Sequence, residues 1–187
     1  MEFERTLDLS SLLRRKSFFL FGPRATGKST LIRQQLSDHA TVIDLLDSRL
    51  YLRLLAAPHD LESIIAAGNN RELVVIDEIQ RIPELLNEVH RLIEQKKITF
   101  LLTGSSARKL RRGKANLLAG RVWEARMFPF TCNELRQREN CFDLDRYLLH
   151  GGLPAVYPSE YPEEELDAYV HTYLKEEIMA EGFDFGL

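Results

Sequence analysis

The chain has 187 residues, 44% of them hydrophobic and 28% charged. That composition excludes disorder as an overall description and suits one fair-sized folded domain or a domain with an appendage. A net charge of −3 excludes a polyanion binder as a whole, while leaving room for a local basic patch.

The N-terminal stretch MEFERTLDLSSLLRRK carries early acids and no continuous apolar core, so it does not read as a secretory signal. No apolar run approaches the ~20 residues of a membrane helix. Cys132 and Cys141 are too few for a disulfide framework, and the histidines lack metal-ligand spacing. The expectation is a cytoplasmic protein with two free thiols and no membrane partner.

Residues 5–16 suggest a short helix through Leu7, Leu9, Leu12 and Leu13. Ser17–Phe21 is a short apolar run ended by Gly22-Pro23, which predicts a buried strand. Lys28 to Leu36 reads as a helix and Thr41 to Leu45 as a strand. Two short helices follow over 49–57 and 60–67, split by Pro58, and then a loop at 68–70. Leu73–Ile76 is β-branched and apolar on both faces, as a central parallel strand should be.

Pro83 opens a helix to about Gln95, with Leu85, Leu86, Val89, Leu92 and Ile93 as its apolar stripe. Ile98–Leu102 and Arg121–Phe128 predict two more strands, with a basic, less regular stretch over 105–118. Alternating strands and helices argue for an α/β layer with a largely parallel sheet. Beyond Pro129 the pattern turns helical, over 133–138, 144–149 and 163–180, with a break at Gly151–Pro154. The division expected is a core over 1–130 and a helical extension over 131–187. Glu163-Glu164-Glu165 falls in the first turn of the last helix, where the helix dipole explains it without a ligand.

Gly22-Pro23-Arg24-Ala25-Thr26-Gly27-Lys28-Ser29 matches G-x-x-x-x-G-K-[ST] in full. A chain of this length matches by chance on the order of once in a hundred, and here the match also sits between a predicted strand and helix. Glycines let the backbone approach phosphates, successive N–H groups form an anion nest, and the helix N-terminus adds positive potential. Lys28 would reach the β- and γ-phosphates, and the Ser29 hydroxyl would ligate Mg²⁺. Thr30 completes the set of phosphate-loop candidates.

Asp77-Glu78 ends the central strand, where side chains emerge at a sheet's ligand edge. Asp77 would hold Mg²⁺ and Glu78 would polarise the attacking water, because a stable triphosphate needs both charge neutralisation and a positioned nucleophile. The competing reading is a strand that merely exits into a polar loop. An extra strand between the phosphate loop and the acidic pair, with a glutamate directly after the aspartate, favours ATPases over GTPases. No [NT]-K-x-D guanine-reading motif occurs in the sequence.

Thr103-Gly104-Ser105-Ser106 follows the next strand. A hydroxyl there, that of Ser105 in particular, is placed to sense the γ-phosphate or hold the lytic water; an ordinary turn is the alternative. Residues 107–114 form the densest basic segment. They suit nucleic-acid phosphates but lack interleaved aromatics, so a solvated loop or subunit contact competes. Arg121 would stabilise transition-state charge, in cis or from a neighbouring subunit, or make a salt bridge.

With these segments, the chain resembles the predicted AAA+-superfamily ATPases of the AAA_14 type, which usually carry a DUF4143-type C-terminal region. The matching stretches are Phe21–Ser29, Val74–Pro83 with its Asp-Glu-Ile-Gln, Phe100–Arg108 with its Thr-Gly-Ser-Ser, Leu118–Val122, Gly151–Pro154 and Tyr173–Ile178. The resemblance implies a P-loop NTPase three-layer sandwich with a five-stranded sheet in the order 5-1-4-3-2. It also implies ATP hydrolysis and action as a homo-oligomer. Such proteins look roughly twice this long, so a shortened chain is expected, with Tyr169, Tyr173 or Leu174 partly exposed. A DNA or protein partner would be met through residues 107–114 or a C-terminal region beyond this chain. Three functions are thus in play: an ATPase driving an attached domain, a nucleotide-dependent binding switch, and a small-molecule kinase. The kinase lacks a recognisable acceptor lid, and Glu78 as a water activator argues against it.

Overall fold

The computed structural model describes residues 3–68, 70–105, 118–137 and 142–174. The chain divides into two units. The larger comprises Leu7–Gly22 and Lys28–Met127; the smaller comprises Met1–Thr6, Pro23–Gly27 and Phe128–Leu187.

In the larger unit the short apolar runs become β1 (Ser17–Phe21), β2 (Thr41–Asp44), β3 (Leu73–Asp77), β4 (Thr99–Gly104) and β5 (Val122–Arg126). All neighbouring pairs are parallel, in the order β2-β3-β4-β1-β5. Counted from the other edge, that is 5-1-4-3-2. Period-two alternation sends successive side chains to opposite faces. Phe19 and Phe21 of β1 join Val74, Ile76, Phe100 and Leu102 on one face. Phe18 and Leu20 join Val75 and Leu101 on the other. The first face packs against α3 (Ser48–Ala56), α4 (Asp60–Ala67) and α5 (Leu85–Lys96), and the second against α1 (Leu9–Leu13) and α2 (Lys28–Leu36). The result is a three-layer α/β/α arrangement. Each fully buried Leu or Phe contributes about 1.5–3 kcal/mol of transfer free energy, and two such faces need no further staple.

The strands β4 and β5 differ most from the sequence expectation. β4 runs on through Thr103 and Gly104 because Leu20 pairs with Thr103 and Phe21 with Gly104. Pairing with β1 overrides the polar character of those residues. β5 is shorter than 121–128 and begins at Val122, which pairs with Ser17. The α5 helix begins at Leu85, after a tight turn in which Leu85 N donates to Ile82 O and Leu86 N to Pro83 O, both at 3.1 Å. Of the basic stretch over 105–118, residues 106–117 lie outside the described residues.

The smaller unit contains α6 (Cys132–Arg136), α7 (Leu144–His150) and α8 (Pro162–Tyr169), the last continuing into a π-helical turn, Val170–Leu174. Thr131 and Glu134 form a reciprocal capping box on α6. Phe3, Phe130, Leu135 and Tyr157 make a small core. Glu134 is buried, accepts from Thr6 N at 3.0 Å and Thr131 N at 2.9 Å, and pairs with Arg5 Nε at 3.2 Å. Burial pushes its carboxyl up. The backbone hydrogen bonds from Thr131 and Thr6, with the Arg5 charge, outweigh that and hold it below the ordinary glutamate value. No residue of α8 is fully buried, and Tyr169 and Tyr173 are half-buried. The side chain of Leu174 and the expected helix beyond it lie outside the described residues. Among the described residues, no helix is long and apolar enough to cross a membrane.

Candidate functional site

In the larger unit the chain leaves β1 at Gly22, whose N–H donates to Gly104 O at 3.3 Å. A Cβ at position 22 would stand 2.3 Å from Met127 O. Sheet packing alone therefore demands glycine here. Lys28 opens α2 and is only 6% exposed; its Nζ donates to Gly22 O at 2.7 Å. Ser29 and Thr30 are exposed in the first turn of α2. The α2 N-terminus carries the orphan N–H groups and positive potential that favour an anion.

The intervening residues, in the smaller unit, have their own constraints. Thr26 is fully buried and its hydroxyl donates to Pro23 O at 2.8 Å. Ala25 (φ 59°) and Gly27 (φ 91°) take left-handed backbone. For alanine that conformation costs about 1–2 kcal/mol, and left-handed residues within a turn are what aim successive N–H groups into one concavity. Tyr169 donates its hydroxyl to Arg24 O at 3.4 Å, and the Arg24 guanidinium lies 5.7 Å from the Tyr173 ring centre.

At the C-terminal ends of β3 and β4 the larger unit assembles a chain of polar contacts. Asp77 is 5% exposed. Its Oδ2 accepts from Ser29 Oγ at 2.6 Å, and its Oδ1 accepts from the Thr103 hydroxyl. Thr103 Oγ1 in turn accepts from Glu78 N at 3.0 Å. Glu78 has left-handed backbone (φ 60°, ψ 43°), and its Oε2 accepts from Gln80 Nε2. Among the described residues, the Ser105 hydroxyl is buried without a hydrogen-bond partner.

The arrangement brings Gly22, Lys28, Ser29 and Asp77 together, with Glu78 directly after Asp77. A hydroxyl and a carboxylate are hard oxygen donors that suit Mg²⁺. Both Ser29 and Thr103 donate to Asp77 as neutral hydroxyls. Among the described residues no cluster of three His, Cys, Asp or Glu forms a dedicated metal cage. Mg²⁺ on ATP is ordinarily held by one or two protein ligands plus phosphates, so the donor set fits.

Arg121 is not brought to this edge. It precedes β5, whose Val122 pairs with Ser17 and whose Arg126 pairs with Phe21. About 13 Å of strand separates Val122 from Arg126. Arg121 instead pairs with Glu94 across exposed surface. Residues 107–114 lie outside the described residues. Sequence reasoning singled out Ser105 and passed over Thr103 and Gln80. No local sequence signal marks Thr103: pairing with β1 carries β4 two residues past its apolar run, to the level of Asp77.

A family model described as an AAA domain, AAA_14, matches residues 14–136. A search of curated protein sequences found no match. Among solved structures, the chain is similar to AMPPCP-bound DnaA from Aquifex aeolicus, with a TM-score of 0.54 and 12% identity over 92% of this chain and 64% of that one. It is also similar to the ORC2 protein of Aeropyrum pernix in ADPNP-ADP complexes, with a TM-score of 0.50 and 16% identity over 94% of this chain and 63% of that one. At such identities the likeness bears on the fold alone. The chain spans less than two thirds of the length of either structure.

Proposed function

The chain belongs to the AAA_14 family of AAA domains, an ATPase-type nucleotide-binding fold, and from that premise we propose that it binds ATP with Mg²⁺ and hydrolyses it. The observation that carries the reading is the 2.6 Å hydrogen bond from Ser29 to Asp77. It joins the two oxygen ligands that the motif chemistry assigns to the cation, one residue from the buried ammonium of Lys28.

Lys28 would neutralise the β- and γ-phosphates, and backbone N–H groups of the loop would bind their oxygens. Mg²⁺, held by Ser29 and by Asp77, would supply charge neutralisation on the phosphates. Glu78 accepts a proton from water as the water oxygen attacks the γ-phosphorus. The bond from that phosphorus to the bridging oxygen breaks, ADP carries the electron pair away, and the proton passes from Glu78 to solvent. Adenine is favoured by the extra strand β2, by the glutamate after Asp77 and by the lack of a guanine-reading motif. The work done is proposed to be movement of an attached domain or partner, by a homo-oligomer. Residues 107–114 carry the charge to meet DNA phosphates or an acidic protein.

Phosphate release from Mg-ATP by the purified chain tests the reading. Glu78→Gln should lower release by about 10²–10⁴-fold, the ordinary worth of a general base, while ATP stays bound. Binding without release in the wild-type chain would instead favour a nucleotide-dependent switch. ADP formed only when an acceptor molecule is supplied would favour a kinase.

A further inference from the structure

A glutamate side chain rotates about three bonds, so Glu78 is a positioned base only if something holds its carboxylate. Its backbone is held by the hydrogen bond from Glu78 N to Thr103. The side chain is held by a different residue: Gln80 Nε2 donates to Glu78 Oε2. Gln80 sits in a short 3₁₀ turn, Ile79–Arg81, with fully buried Ile79 on one side and Arg81 donating to Leu45 O on the other. The amide is therefore delivered from a fixed backbone.

The other end of that amide is informative. Among the described residues, Gln80 Oε1 is buried with no hydrogen-bond partner, and a Cβ at Gly104 would lie 2.7 Å from it. Packing alone does not select such a group, because an apolar side chain would fill the space without desolvating an acceptor. Turning the amide over would set its oxygen against the Glu78 carboxylate, so the charged carboxylate fixes which way the amide faces. Gly104 leaves the room that the amide needs.

We infer that Gln80 is a positioning residue for Glu78, fixing the carboxylate in the orientation from which it takes a proton from the attacking water, and that Gly104 is glycine to admit the Gln80 amide. The inference rests on the reading of Glu78 as the base for ATP hydrolysis. A Cβ at position 104 meets the far end of a flexible side chain, so Gly104→Ala displaces the amide rather than the sheet.

Two variants and one spectroscopic readout test this. Gln80→Met keeps the length of the side chain and removes the donor; Gly104→Ala displaces the donor. Each should lower kcat for Mg-ATP by roughly tenfold to a hundredfold, the effect of a misplaced catalytic group, with KM for ATP within about twofold of wild type. Because both act through one contact, the double variant should be no slower than Gln80→Met alone. In the nucleotide-free protein, the ¹⁵N-resolved side-chain amide signals of Gln80 should shift and exchange faster in Glu78→Ala. Wild-type kcat in Gln80→Met, multiplying losses in the double variant, or amide signals indifferent to Glu78→Ala would each overturn the inference while leaving hydrolysis intact. A wild-type chain that binds ATP and releases no phosphate overturns the hydrolysis reading first, and the role of Gln80 with it.

Discussion

Replacing Gly22 by alanine separates two reasons for a glycine at the head of a phosphate loop. One is close approach of the backbone to a phosphate; the other is the fold. The added Cβ would stand 2.3 Å from Met127 O and 3.2 Å from Met127 C. An ordinary carbon–oxygen contact is about 3.3–3.6 Å, so roughly 1 Å of movement is demanded. Met127 cannot readily supply it, since its N–H donates to Phe21 O at 2.7 Å and its side chain is 2% exposed in the α1/α2 face of the core. Overpacking of this kind costs about 1–3 kcal/mol. At about 2–4 °C per kcal/mol for a larger domain, the nucleotide-free melting temperature should fall by roughly 2–12 °C. Thermal melts without nucleotide, run beside ATP-binding titrations, measure both effects. A variant that melts within about 1 °C of wild type yet loses ATP would refute the packing argument and leave phosphate approach as the sole reason.

Two further predictions concern charges away from the hydroxyl–carboxylate chain. The Glu134 carboxyl is held below the ordinary glutamate value, so its contribution is complete above the ordinary carboxylate range near pH 4.3 and is lost as pH falls through the lower folded value. Amide exchange at Thr6 and Thr131 should therefore quicken in acid. Glu134→Gln should destabilise the smaller unit at neutral pH by about 1–3 kcal/mol and flatten that acid limb; an acid limb identical to wild type contradicts the assignment. Arg121→Ala removes a pair whose side chains are 39% and 46% exposed, so stability should change by no more than about 1 kcal/mol. Phosphate release by the dilute, monomeric chain should be unchanged, and a tenfold loss under those conditions would place Arg121 at the reacting phosphate after all.

The central strands were legible because they are short apolar runs with turn or polar residues after them, a pattern set by burial on both faces. Ser17–Phe21 and Leu73–Asp77 announce themselves in this way. The end of β4 was not legible, because Thr103 and Gly104 are strand only by pairing with Leu20 and Phe21, a long-range constraint that local propensity does not carry. Arg121 is a different case: the first residue of a parallel strand belongs at the edge opposite the strands' C-terminal ends, and the register of Val122 with Ser17 places it there. Gln80 was visible as a letter in Asp-Glu-Ile-Gln, but its contact with Glu78 depends on the left-handed backbone at position 78. Nothing in the residue type announces that conformation.

Thr103 and Ser105 exchange duties once hydrogen bonds are counted. A hydroxyl has one proton to donate. Thr103 gives its proton to Asp77 and accepts the Glu78 N–H. Its work is to lock the two acidic residues to β4, which leaves it no proton for a phosphate. Ser29 donates to Asp77 as well, but a cation binds through oxygen lone pairs, which that donation leaves in place, so metal ligation and the existing hydrogen bond are compatible. Among the described residues, the Ser105 hydroxyl has neither duty: it is buried and without a partner. Buried polar groups are ordinarily satisfied. We propose that this hydroxyl, two residues beyond Thr103 and past the C-terminal end of β4, serves as a donor to the γ-phosphate or the attacking water. On that proposal Ser105 is the sensing group, and Thr103 holds Asp77 and Glu78 in register beside it.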